Sequence, residues 1–212
     1  MGTNRENLRG TILENLTGSR DSSTYYADED LNESIQDAYN EVVAKSKCYI
    51  KNTTISWQSG LNYYNPADYG IIDYLGYIAI FNNNSNLWLR DDVSIRDFNR
   101  IRRDWEQWTG EAQFLTSHSQ KYFVICPSLA VGTGTFSLWY YATAPKLEMD
   151  TDTTIIANDM DILITDYVSK DMLESANEFT KASFYQGRYE QKLSAYKERT
   201  HNLAKHQLLL RI

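Results

Sequence analysis

The sequence predicts an α+β protein, mainly helical, in which helices from both chain ends pack together with a β-rich insertion between them. In the first 47 residues, and again after residue 159, apolar side chains recur every three or four positions, the spacing of one helix face. Short alternating runs bounded by Gly, Pro and Asn lie between, as is typical of strands and turns. The 212 residues are interpreted as a single domain, 1–212. Its predicted parts are a helical core of about 3–47 and 159–203, a β-rich insertion of about 49–145, and a C-terminal tail of 203–212.

Two helices are predicted at the N-terminal end, over 3–16 and 28–47. Gly18 is expected to end the first helix, and Asp28 to cap the second. We expect the second helix to pack on a helix over 159–176 as the core of the protein. The apolar positions of the first two helices are Leu8, Ile12, Leu13 and Leu16, followed by Leu31, Ile35, Tyr39 and Val42.

The β-rich insertion is predicted to contain several strands and one helix. A kink is expected at Gly76, and the asparagine-rich stretch 81–86 is interpreted as a loop or hairpin tip. Residues 92–108 are predicted to form a helix with Ile95, Phe98, Ile101 and Trp105 on one side, and 109–116 a connection. The predicted strands are 49–57, 71–81, 87–90, 121–126 and 135–142.

The C-terminal third is predicted to begin with an extended acidic segment, 146–158. Asn158 or Asp159 is expected to cap the following helix, and a break is expected around 177–183. A final helix then leads into the basic and apolar tail. The predicted inward positions are Leu163, Tyr167, Met172, Leu173 and Ala176, and then Tyr185, Tyr189, Leu193 and Tyr196.

The charge balance limits the function classes. With 28 acidic and 21 basic residues the net charge is −7, which argues against a dedicated nucleic-acid binder. The acidic balance fits a conduit that DNA slides through without sticking, and it fits simple solubility equally well. The 16 Tyr, 7 Phe and 5 Trp are typical either of an interface or of a β core.

The sequence predicts no disulfide framework, leader or membrane span. Cys48 and Cys126 match no metal or redox spacing, and a reducing cytoplasm fits them. The N-terminal residues lack the apolar core of a signal peptide, so no secretion is implied. The longest apolar stretch, 71–81, is too short and too interrupted to cross a bilayer.

No catalytic, cofactor-binding or metal site is predicted. His118, His201 and His206 form no metal-binding spacing. Asp150 and Asp152 resemble the start of a calcium loop, but the required Gly and Glu of that loop are missing. The sequence therefore favours a protein that works through its surfaces.

Five short patterns, taken in chain order, resemble the head-to-tail adaptor (connector) proteins of tailed phages. The resemblance covers roughly 5–200 and departs from the family at Asn65, where an apolar residue is usual, and in the polar stretch between Ala112 and Lys121. The matching residues are Tyr26, Asp28, Leu31, Ile35, Ala38 and Glu41; Asn65, Pro66, Ala67, Asp68 and Ile71; Trp105, Gly110, Ala112 and Phe114; Pro127, Gly134, Phe136, Leu138, Tyr140, Pro145 and Leu147; and Asp152, Ile156, Asp161, Leu163 and Tyr167.

The resemblance implies a structural protein of the virion that is made in the host cytoplasm and is not an enzyme. Its expected partners are the portal protein, neighbouring copies in a ring of twelve, and tail or nozzle proteins. Double-stranded DNA is expected to pass through without sequence-specific binding, and neither a membrane nor a cofactor is involved. Such a ring extends the DNA channel below the portal.

Two candidate binding sites follow. The apolar tail is predicted to bind the portal, although it could instead fold back on its own core. The asparagine-rich loop is predicted to face the tail proteins. The tail residues are Leu203, Leu208, Leu209, Leu210, Arg211 and Ile212, and the loop residues are Asn82, Asn83, Asn84, Asn86 and Trp88.

An alternative function is a non-enzymatic carbohydrate- or receptor-binding module of a phage tail. The asparagine-rich loop beside Trp57 and Trp88 is the type of surface on which sugars stack. Long amphipathic helices at both ends of the chain count against it.

Overall fold

The computed structural model describes residues 2–20, 25–118, 122–130 and 134–209, with side chains described as far as residue 200. The helices α1 to α5 are Arg5–Thr17, Asp28–Ser46, Ile95–Ile101, Ile162–Ser175 and Phe179–Leu209. The strands β1 to β9 are Ile50–Trp57, Tyr63–Tyr64, Tyr74–Asn82, Leu87–Trp88, Thr109–Gly110, Phe114–Ser117, Phe123–Cys126, Ser128–Leu129 and Gly134–Ala142.

The chain forms two compact units. Met1–Tyr49 and Thr143–Ile212 form one, here the helical unit, and Ile50–Ala142 form the other, the β-rich unit. The predicted fold class is confirmed, because helices from both chain ends pack together and the strands lie between them in sequence.

The two N-terminal helices follow the sequence pattern closely. Gly18 ends α1 in the left-handed conformation, at φ 80°, as predicted. The prediction that Asp28 caps α2 is wrong, because Ala27 is the cap residue and Asp28 is the first helical residue. Asp28, Glu29 and Asp30 instead place three carboxylates in the first turn, where the helix dipole favours negative charge.

The helical unit has one continuous apolar core. Helix α2 packs against α1, α4 and α5, which confirms the predicted pairing of α2 with the helix after residue 159. Burial of these apolar side chains is the main force that holds the four helices together. The buried members of this core are Leu8, Ile12, Leu13, Leu31, Ile35, Ala38, Tyr39, Val42, Val43, Leu147, Ile156, Leu163, Ile164, Val168, Tyr189, Leu193 and Tyr196.

The start of α4 differs from the prediction. Residues Asn158–Met160 form a 3₁₀ turn, and Asp161 takes the cap position, so neither Asn158 nor Asp159 caps the helix. The predicted break between the last two helices falls at Asn177, which is left-handed at φ 61°. Helix α5 then runs to Leu209, so the backbone is helical well into the segment predicted as a tail.

The β-rich unit contains three small sheets in its described part. A four-stranded sheet has the order β1-β9-β3-β4, a three-stranded sheet has the order β2-β7-β6, and β5 pairs with β8 in parallel. The kink predicted at Gly76 appears as register shifts in the β3–β9 ladder, between Tyr74 and Gly76 and between Tyr77 and Ala79. Strands β7 and β9, which are close in sequence, belong to different sheets.

The predicted helix over 92–108 is wrong in length. A capping box between Ser94 and Asp97 starts α3, but the backbone at Arg102 is extended and ends it after two turns. Ile101 is 63% exposed, because the four-residue spacing from Ile101 to Trp105 is not helical. The connection predicted over 109–116 contains β5 and the start of β6.

Candidate interaction surfaces

The predicted portal-binding residues lie at the end of α5. Leu203, Leu208 and Leu209 are on the helix, and their side chains are outside the described ones. Leu210, Arg211 and Ile212 lie outside the described residues altogether. The structure therefore gives the path of the helix backbone as far as Leu209 but no side-chain contacts of the predicted portal-binding residues.

A buried ion pair fixes α5 on α4. The side chain of Asp166 is fully buried, and both of its oxygens accept hydrogen bonds from Arg188, the Nε bond measuring 2.6 Å. Asp166 raises the pKa of the Arg188 guanidinium, which also lies 5.4 Å and 5.2 Å from the ring centroids of Phe184 and Tyr185. The bidentate geometry orients α5 because Arg and carboxylate match only when they are coplanar. Sequence reasoning missed this pair.

A second set of ion pairs ties the acidic segment 146–158 to α1. Asp150 accepts hydrogen bonds from Arg9 and from Arg5, whose Nη2 lies 3.0 Å from Oδ1. Arg9 and then Arg5 hold the pKa of the Asp150 carboxyl below its usual range. Asp152 accepts from the backbone N–H groups of Glu148 and Met149 at 2.7 and 2.8 Å. These two carboxylates thus have partners on α1 and within the acidic segment itself.

Asp161 is the buried carboxyl of the helical unit with a raised pKa. Its oxygens accept from the Thr3 backbone N–H at 3.0 Å and from the Thr154 hydroxyl at 2.8 Å. Burial raises the pKa of Asp161, and the two hydrogen bonds oppose that shift. The carboxyl joins the N-terminal residues to the start of α4.

The asparagine-rich loop is largely a turn scaffold. Asn82 is 1% exposed, and its Oδ1 accepts from the N–H groups of Asn84 and Ser85 at 3.0 and 3.4 Å. Asn83 donates to Thr135 Oγ1 and accepts from the Ser137 hydroxyl. Of the four asparagines predicted to face tail proteins, Asn84 and Asn86 have exposed side chains.

The tryptophans predicted as sugar-stacking platforms are packed against protein. Trp57 is 7% exposed. Trp88 is half-buried, with its ring 5.2 Å from Phe81 and 5.0 Å from Trp139. Trp57 is too buried for carbohydrate stacking, and two aromatic neighbours contact the ring of Trp88.

Exposed aromatic side chains mark another surface of the helical unit. Tyr25, Phe179 and Phe184 are 74%, 61% and 62% exposed. Single exposed rings are common, but aromatic residues are enriched where proteins bind one another. Sequence reasoning assigned these three positions no role.

The remaining candidate groups have ordinary surroundings. The ring of His118 lies 5.4 Å from that of Tyr63, and burial raises the pKa of the Cys126 thiol to about 11. Within the described ranges, no three His, Cys, Asp or Glu side chains are grouped to hold a metal ion. No helix in the described part of the chain is both long and apolar enough to span a bilayer.

Comparison with protein families matches residues 7–207 to the model for SU10 adaptor protein. The chain belongs to the SU10 adaptor family. This is a family of phage head-to-tail adaptors, and the match extends over both compact units. No curated protein matches the sequence.

Membership of the SU10 adaptor family directs attention to the surfaces of the molecule. The family is one of structural virion proteins, so its members act through contacts with other proteins. The surfaces described above are therefore its candidate functional sites.

Proposed function

We propose that this adaptor forms a ring of twelve copies beneath the portal, where it extends the DNA channel and provides the attachment site for tail or nozzle proteins. The observation that carries the proposal is the family match over 7–207. A closed ring of identical copies requires two different side faces on each copy. The helical unit carries six of the seven net negative charges of the chain, an uneven distribution that is consistent with such faces.

Portal attachment is assigned to the C-terminal segment, 203–212. Helix α5 is held on α4 by the Asp166–Arg188 pair, so it can carry this segment as a stiff arm. Four apolar residues, Leu208 to Leu210 and Ile212, each contribute about 1.5–3 kcal/mol if a portal groove buries them fully. Ordering a chain end costs about 1–2 kcal/mol per residue, so a preformed groove and backbone hydrogen bonds are also needed.

Tail or nozzle proteins are assigned to the β3–β4 turn. The exposed part of that turn consists of Asn84, Asn86 and Leu87, the last 52% exposed. Asn82, Asn83 and Trp88 support the turn from within. DNA passes through the ring without sequence-specific contacts, in keeping with the acidic balance of the chain.

Size-exclusion chromatography with the cognate portal protein tests the ring. We expect the adaptor to co-elute with the portal as a larger complex that shows a ring in electron micrographs. Separate elution of the two proteins at micromolar concentration would contradict the proposal.

Two variants separate the two binding sites. Deletion of 203–212 should leave the thermal melting of the protein intact and abolish portal binding. The double variant N84A/N86A should keep portal binding and weaken the binding of tail proteins. Unchanged portal affinity after the deletion would move the anchor to another surface, such as the exposed aromatic side chains.

A further inference from the structure

Helix α2 presents an acidic face to solvent. Glu29, Asp30, Glu33 and Asp37 lie on the side opposite the buried Ile35, and all four are exposed. Among the described residues, no Lys or Arg nitrogen lies within 4 Å of these carboxylates, whereas Asp28 beside them pairs with Arg9. The face therefore carries four negative charges without a counter-ion in its own described chain.

Helix α3 presents the opposite kind of face. Arg96 and Arg100 lie next to each other on the side opposite the buried Phe98, and the exposed Arg103 follows the helix. In the described part of the chain, Arg96 and Arg103 have no carboxylate within ion-pair distance. Arg100 approaches only Asp97, at 3.8 Å.

Several charged side chains near Arg96 and Arg100 in sequence already have ion-pair or hydrogen-bond partners. Arg90 pairs with Asp92 and Arg102 with Asp104, at 2.6 and 2.7 Å. Asp97 accepts from both the hydroxyl and the backbone N–H of Ser94, so the capping box uses the carboxylate that Arg100 approaches. The exposed Arg96 and Arg100 on α3 are here called the arginine face.

The arginine face suits a protein partner better than DNA. Ile101 is 63% exposed beside Arg100, and an apolar side chain contributes to a protein interface but not to a phosphate contact. The chain as a whole is acidic, which opposes approach to a duplex. Protein surfaces with opposite potentials attract and orient each other.

We propose that the acidic face of α2 in one copy binds the arginine face of α3 in the next copy. The contact is heterologous, because it joins two different faces of the same chain, and a contact of this type repeats from copy to copy until a ring closes. The inference rests on the proposed ring and names the surfaces that meet within it.

Charge reversal on either side tests the contact. In R96E/R100E both faces are acidic, and in E33K/D37K two lysines offset the two remaining carboxylates of the acidic face, so its net negative charge is lost. The readout is the number of copies per portal, measured by native mass spectrometry of the portal complex. Each variant alone should lower the yield of complete rings about tenfold or more, because at every contact R96E/R100E replaces attraction by repulsion and E33K/D37K cancels the attraction.

Two combinations should restore the ring. The quadruple variant R96E/R100E/E33K/D37K presents the reversed pair on one chain and should assemble with itself. An equimolar mixture of the two double variants should also assemble, with the two kinds of copy alternating. R20E/K146E is the matched control for R96E/R100E, since it makes the same change in net charge at two exposed ion pairs elsewhere and should assemble like the wild type.

The remaining outcomes overturn the inference. Complete rings from both double variants would show that the faces do not meet, and so would a loss that neither combination restores while thermal melts remain normal. If only R96E/R100E loses complete rings and also binds DNA more weakly, the arginine face binds the phosphates of DNA and not a neighbouring copy. If only E33K/D37K loses complete rings and the genome also exits more slowly, the acidic face lines the DNA channel and does not bind a neighbouring copy. Failure of the wild type itself to form a ring on the portal would refute the proposed function. This outcome differs from failure of the α2–α3 contact, because it needs no substitution.

Discussion

The helical unit and the β-rich unit differ in amino-acid composition. Residues 50–142 contain 7 basic and 8 acidic residues, so the other 14 basic and 20 acidic residues belong to the helical unit. All 5 Trp and 18 of the 28 aromatic residues lie in the β-rich unit. The chain thus concentrates net negative charge in the helical unit and aromatic residues in the β-rich unit.

The buried cores of the two units also differ in composition. The helical unit buries one continuous, mostly aliphatic cluster drawn from four helices and the segment 146–158. A cluster in the β-rich unit consists of Phe98, Trp105, Val124 and Cys126 and joins α3 to β7. We infer that the helical unit is stabilised by apolar side chains buried jointly by its helices and by the Asp166–Arg188 ion pair. The β-rich unit is stabilised by local packing around aromatic rings.

The largest expected effect is on the ion pair between α4 and α5. Arg188→Ala leaves the fully buried Asp166 carboxylate without a counter-ion, so the free energy of unfolding should fall by about 3–5 kcal/mol. Urea denaturation monitored by circular dichroism measures the change. The double variant D166N/R188M removes both charges and should be much less destabilised; equal losses in the two variants would contradict the assignment.

The core of the helical unit should respond next most strongly. Ile35→Ala should cost about 2–5 kcal/mol, because Ile35 is fully buried between helices. The matched change in the β-rich unit, Ile101→Ala, should stay within about 0.5 kcal/mol, since that side chain is 63% exposed. A thermal melt left unshifted by Ile35→Asp would show that this side of α2 is not core.

Packing in the β-rich unit should show a smaller effect. An added methyl group at Gly134 would lie 2.1 Å from Trp57 Nε1 and 2.4 Å from Asn84 Oδ1. Gly134→Ala should therefore cost about 1–3 kcal/mol through overpacking. Gly76→Ala is the control, because nothing lies within 4 Å of the new methyl group, and its denaturation midpoint should be close to that of the wild type.

The smallest expected effects are opposite pH dependences at two carboxyls of the helical unit. Burial raises the pKa of Asp161, so its contribution to stability is present at acid pH and is lost as the pH rises through the folded-state pKa. Arg9 and Arg5 lower the pKa of Asp150, so its contribution is lost as the pH falls.

Denaturation of D161N and D150N between pH 3 and 7 measures these contributions. Relative to the wild type, D161N should become weaker as the pH falls, and D150N should become weaker as the pH rises. The same sign for both variants would contradict the assigned environments.

The sequence predicted the helices better than the sheets, for a physical reason. Helical periodicity is local, so the stripe from Leu31 to Val42 was sufficient to place α2. Strand partners are set by contacts between distant residues, so nothing in the sequence separated β7 from β9 into two sheets. The end of α3 was missed because the Ile101 to Trp105 spacing imitates a helix that the extended backbone of Arg102 interrupts.

The candidate sites were predictable to different degrees. The asparagine-rich loop was located correctly, but composition alone could not separate the turn-forming Asn82 and Asn83 from the exposed Asn84 and Asn86. The Asp166–Arg188 pair joins residues 22 positions apart on different helices, and each residue alone resembles a solvated charge. The two faces assigned to the ring contact became visible only when the structure showed which charges are already paired.

We propose that the portal organises copies of this adaptor that otherwise stay apart. The acid-rich helical unit adds negative charge with every copy, and repulsion over about 8–10 Å opposes self-assembly. Exposed ion pairs such as those proposed between α2 and α3 contribute only about 0–1 kcal/mol each and do not overcome it. Sedimentation equilibrium of the pure protein at micromolar concentration tests this most directly. We expect a monomer; a stable dodecamer without the portal would contradict the proposal.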